Sequence, residues 1–210
     1  MARCPLCSER PAKRYCPAKE TQICSVCCGT KREVEIDCPA TCVHLQSGRA
    51  YESDKRPVDP TLNLRIQSLG EDFVRNYSWL MDILCTEVLA EYRTSQWLLD
   101  NDVLEVYKAL GSSFKTLDSG IYYDSLPESA IQRSLYSRLK GTLEKLMRPD
   151  AARPTPLRAS DVVNAMDFLV LVASVNSSLR PKSRQYLHFL DSMTVARDSS
   201  EGETSRLILP

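Results

Sequence analysis

Eight of the nine cysteines lie in the first 44 residues: Cys4, Cys7, Cys16, Cys24, Cys27, Cys28, Cys38 and Cys42, with His44 just after the last. Such a cluster can coordinate a soft metal. Cys4/Cys7 and Cys24/Cys27 are Cys-x2-Cys pairs, knuckles whose tight turn aims both sulfurs at one ion and lets backbone N–H groups bond the thiolates. Structural zinc takes four such ligands in a closed tetrahedron, so these cysteines suffice for two ions. Disulfides and an iron–sulfur cluster are the competing uses. The opening "MARCPLCSER" is polar where a secretory leader would be apolar. A cytoplasmic, reducing setting is therefore expected, and there clustered thiols hold metal more often than disulfides. Catalytic zinc needs a vacant position. Eight cysteines for two ions leave none, so the expected role is to fold a segment too small for a core of its own.

The run "CPLCSERPAKRYC", followed by "PAKETQIC" and "SVC", resembles a B-box-type zinc finger over about the first 40 residues. The matching steps are Cys4/Cys7, Tyr15-Cys16, Ile23-Cys24-x2-Cys27 and the late group Cys38, Cys42 and His44. HIT and MYND fingers share much of this pattern. The resemblance implies a cross-brace, in which ligand pairs one and three hold one ion and pairs two and four the other. It also implies a role in self-association or partner binding. One position departs: the family's fourth ligand falls on Lys19, with Glu20 one step off, and the extra Cys28 can take its place. The expected sets are Cys4, Cys7, Cys24 and Cys27 for one zinc, and Cys16, Cys28, Cys38 and Cys42 for the other. His44 competes for the last place, and a sequential arrangement (Cys4/Cys7/Cys16/Cys24, then Cys27/Cys28/Cys38/Cys42) stays open.

Charge narrows the partners. The chain has 27 basic and 27 acidic residues, which argues against a broad nucleic-acid footprint. Residues 1–56 carry ten Lys/Arg and seven Asp/Glu, a net +3, but eight thiolates holding two Zn²⁺ would turn this into −1. Lys13-Arg14 and Lys31-Arg32 could touch phosphate, although solvated charge offsetting the thiolates is the plainer reading. The longest apolar run, 168–175, is too short to span a bilayer, so no membrane association is expected.

These residues need elements to position them. Gly29, after the second knuckle, suits a positive-φ turn, and 33–37 alternates like a short strand with Val34 and Ile36 inward. The finger should occupy 1–46, with a linker or short helical extension over 47–60. Apolar residues then recur at helical spacing: Phe73 to Tyr92, Val103 to Phe114, Ile131 to Leu146, Val163 to Val175 and Tyr186 to Met193. Ser125 and Glu128 around Pro127 suggest a capping box, and Ser160 a second cap. The expected class is mainly α: a small two-zinc cross-brace finger, then a bundle of about five helices over 61–196 and a disordered tail at 197–210. Cys85 reads as a small buried hydrophobe, and His188 as a packed or surface histidine. The loop 117–125 with Tyr122 and Tyr123 reads as packing between helices.

No Gly-rich phosphate loop or G-x-S-x-G step is present. The favoured function is a non-catalytic zinc protein whose finger and helical domain bind a protein partner or self-associate. A nucleic-acid-binding finger is the second reading. The third is an enzyme with its site in the helical domain, which a deep polar pocket there would favour.

Overall fold

The structure, a computed structural model, describes residues 2–55, 60–69, 71–95, 97–149, 156–178 and 180–204. It divides into two compact units, Met1–Val58 with Leu179–Ser183, and Asp59–Ser178 with Arg184–Pro210. The segment Leu179–Ser183, expected within the bundle, thus groups with the cysteine-rich unit.

Unit 1 begins with a hairpin of β1 (Arg14–Cys16) and β2 (Thr21–Ile23), paired antiparallel with Tyr15 opposite Gln22. Alternation along the strands buries Cys16 and Ile23 and exposes Tyr15 and Gln22. α1 (Ser25–Lys31) starts at Cys24, whose Sγ accepts from the Cys27 amide at 3.3 Å. α2 (Val43–Lys55) begins before the expected 47–60 extension and buries Leu45. The core consists of Cys4, Cys16, Ile23, Cys24, Cys27 and Ile36.

Two local expectations fail in unit 1. Gly29 is helical within α1, because the Cys24 cap starts a helix that carries on through it. Residues 33–37 make a turn closed by an Arg32–Ile36 bridge, not a strand. The Lys31 carbonyl accepts from the amides of Val34, Glu35 and Ile36, and Glu33 sits at φ 55. Ile36 does point inward, but Val34 is exposed and Glu33 is 2% exposed, paired with Arg49 at 2.6 Å. The strap 180–183 meets this turn through Arg180 and Lys182. The Lys182 amide donates to Glu33 O at 2.8 Å, Lys182 Nζ to Glu35 O at 3.0 Å, and Arg180 Nη1 to Arg32 O at 3.1 Å.

Unit 2 contains α3 (Pro60–Leu69), α4 (Glu71–Thr94), α5 (Asp100–Asp118), α6 (Ala130–Leu146), α7 (Ala159–Asn176) and α8 (Gln185–Thr204). The described residues therefore hold eight helices, six of them in unit 2 against the five expected there; α1 and α3 are too short or too polar for an apolar stripe to reveal them, and α2 overlaps the expected helical extension. α7 packs chiefly on α5 and buries Val162, Ala165, Met166, Leu169 and Ala173. It is the one described helix whose length and composition would let it cross a membrane, and this buried face is part of the unit 2 core. Gly111 of α5 faces it, close enough that a Cβ at this position would lie only 3.4 Å from Met166 Cβ.

Buried Asp100, at the start of α5, caps α8 from outside. Its carboxylate accepts from the amides of Tyr186 (3.1 Å) and Leu187 (3.2 Å) and from Ser177 Oγ (2.9 Å). α8 continues through Thr204, past the start of the expected tail at 197, while 205–210 lie outside the described residues. The Ser125–Glu128 capping box does not form. The Ser125 amide donates instead to Ser113 Oγ at 2.9 Å, and α6 starts after Ser129. Asp161, not Ser160, accepts from the Arg158 amide at the start of α7.

Candidate metal centre

Cys4, Cys7, Cys24 and Cys27 come together, with all four sulfurs within 4.8 Å of one another. Cys4 and Cys7 flank a tight turn in which the Cys7 and Ser8 amides donate to Cys4 O. Cys24 and Cys27 bracket the first turn of α1. Cys7 Sγ and Cys24 Sγ are 3.9 Å apart. Four sulfurs at the usual zinc–sulfur distance would be separated by about 3.8 Å. Both the spacing and the donors therefore fit a tetrahedral ion, and this group could hold one.

The surroundings favour charge separation within the group. Burial raises the Cys4 thiol, but hydrogen bonds from the backbone of Cys24, Leu6 and Cys7 and from the Cys24 thiol outweigh it, bringing Cys4 down to about 6. Backbone groups of Arg10 and Glu9 lower Cys7 in the same way. Burial, together with the thiols of Cys24, Cys7 and Cys4, pushes Cys27 up to about 12. Four neighbouring thiols cannot all ionise unaided, whereas a dication would draw off the remaining protons.

The other expected ligands are less converged. Cys16 and Cys42 are buried, while Cys28 and Cys38 are half-buried. Burial raises the Cys38 thiol; a backbone hydrogen bond from Glu33 opposes this, and the charges of Cys42, Cys16 and Glu33 add to it, so these thiols lie within electrostatic reach. Among the described residues, though, only Cys4, Cys7, Cys24 and Cys27 gather their ligand atoms into one group. His44 lines a neighbouring cavity with Arg14 and Arg32. Glu33, buried and paired to Arg49, has no sequence signal; nothing in "KREVEID" marks one acid as buried.

In unit 2 a cavity of about 350 Å³ lies between α4, α7 and α8. Its walls are mainly apolar, with Met81, Phe168 and Phe189 among them, and its titratable groups are Asp82, Cys85 and Tyr186. Cys85 is half-buried here, near the Tyr107–Tyr186 hydroxyl pair at 3.4 Å. His188 Nε2 lies 2.9 Å from Tyr92 Oη. Tyr122 and Tyr123, expected to pack between helices, are 75% and 65% exposed. Lys140 explains part of this: it lies over the Tyr122 ring and bonds Asp124, fixing the loop with its rings outward.

The sequence matches no protein-family model, and no curated protein or solved structure matches it. The B-box likeness therefore rests on ligand spacing alone.

Proposed function

We propose that unit 1 is a zinc-structured interaction module that binds a protein partner or a second copy of the chain. The observation that carries this reading is the four-thiol group: four protein ligands around one ion leave no position for water or substrate, so the metal supplies shape. Zinc is the ion of choice, because it favours tetrahedral thiolate sites and brings no redox chemistry. A second zinc is held by Cys16, Cys28, Cys38 and Cys42, whose thiols draw together when the ion binds. The outward rings of Tyr122 and Tyr123 support a protein partner for unit 2, since aromatic residues are enriched in protein interfaces. A reducing, cytoplasmic setting belongs to the same reading.

The test is affinity capture with the full chain, comparing the unaltered protein with Cys4→Ser, Cys24→Ser and a Lys13→Ala/Lys31→Ala pair. Both cysteine variants should lose the partner, and the lysine pair should keep it at low and high salt. Capture that survives both cysteine substitutions overturns the reading. Partners removed by nuclease and by salt would point to a nucleic-acid-binding finger instead.

A further inference from the structure

Unit 1 has a cavity of about 370 Å³ that the metal centre does not use. This falls within the roughly 300–1,000 Å³ of small-molecule sites. Arg14 enters it from β1, Arg32 from the end of α1, and His44, Ser47 and Tyr51 from one face of α2. Its only acid, Glu52, is already engaged by Arg180 Nη2 at 3.5 Å.

The arginines are poorly satisfied. Among the described residues neither Arg14 nor Arg32 has a carboxylate partner, and the buried Arg32 Nε has no hydrogen-bond acceptor at all. A buried guanidinium N–H left without an acceptor is costly. Arg32 is nonetheless held in place. Its carbonyl accepts from Arg180, and its guanidinium lies against Gly48, where a Cβ would collide with Nη1. Any larger residue at 48 would expel it.

We propose that this cavity binds the phosphate of a small phosphomonoester. Two guanidinium forks meet a dianion's oxygens with charge-assisted hydrogen bonds, while the Ser47 hydroxyl stays bonded to Val43 O at 2.8 Å. The volume beyond the phosphate houses the organic group, with the exposed Tyr51 at its edge. The competing explanation is that the arginines only offset thiolate charge.

Calorimetry on the full-length, zinc-loaded protein, with inorganic phosphate and phenyl phosphate as probes, separates these. Phenyl phosphate should bind one per chain and more tightly than inorganic phosphate; equal affinity overturns the monoester assignment. Arg32→Ala, Arg14→Ala and Gly48→Ala should each weaken binding about tenfold or more, the loss of one charge-assisted contact. Gly48→Ala matters most, because it keeps every charge and strengthens the helix while displacing Arg32. Lys19→Ala, an equal charge change outside the cavity, should leave binding unchanged. The proposal fails if neither probe binds, if Lys19→Ala weakens binding as much as Arg32→Ala does, or if Arg32→Ala releases zinc, which would make the arginine a counter-charge. Failure with zinc retained leaves the interaction-module reading standing.

Discussion

Lys19 and Cys28 show how far single residues can be read. Lys19, standing where the B-box pattern has a ligand, points to Cys28 as the substitute, and elemental analysis decides the matter. Cys28→Ser should drop the zinc content from two ions per chain to one, while Lys19→Ala and His44→Ala keep both. Two ions retained in Cys28→Ser would remove it from the ligand set. Cys4, Cys7, Cys24 and Cys27 are legible because a knuckle is local: four residues and one turn define it. Asp100 is not legible. Its partners Ser177, Tyr186 and Leu187 are distant in sequence, and an aspartate before a helix looks like any cap. Asp100→Ala should cost about 2–4 kcal/mol, because it strands two buried amides at the head of α8. Urea unfolding measures this, and a change below about 0.5 kcal/mol, the scale of ordinary surface substitutions, would contradict the capping role.

Among the elements, α4 to α7 follow from apolar residues at helical spacing, since each buries one long face. The β1–β2 hairpin and α1 give no such signal, because three to seven residues are too few for a period to emerge. The turn at 33–36 misleads because backbone bonds to Lys31 O, and the buried Glu33–Arg49 pair, override alternation. Helix contact also sets what α5 tolerates. Gly111→Ala places a methyl at ordinary contact distance from Met166 and removes a flexible residue, so stability should hold or rise by up to about 1 kcal/mol. Gly111→Leu should push α5 off α7 and cost about 1–3 kcal/mol. Thermal unfolding of the two variants measures the contrast; equal stability would mean the helices do not meet there.

At the scale of the whole molecule, the two units should respond to different reagents. A chelator at neutral pH should speed amide hydrogen exchange in 2–55 while leaving α4 to α7 protected, because unit 2 has an apolar core without thiol pairs. Loss of protection in α5 under chelation would show that the units unfold as one. Alkali should act on unit 2. Burial holds the Tyr107 and Tyr186 phenols well above the ordinary value of 10. Above that pH the unfolded chain releases protons that the folded one keeps. The stability contributed by these groups is thus full below pH 10 and lost progressively above it. Denaturant midpoints measured from about pH 8 to 11 should fall only in the upper part of that range.

The strap 180–183 also sets an order of events in biosynthesis. The knuckle cysteines leave the ribosome well before residues 180–182 and can capture metal ahead of them. The turn at 33–36 gains Lys182 and Arg180 only after a long further stretch has been made, as the separation of 148 between Arg32 and Arg180 requires. A nascent chain stalled before residue 180 should therefore carry a metallated but loose first unit, open to proteolysis near Glu33, which release of the full chain would close.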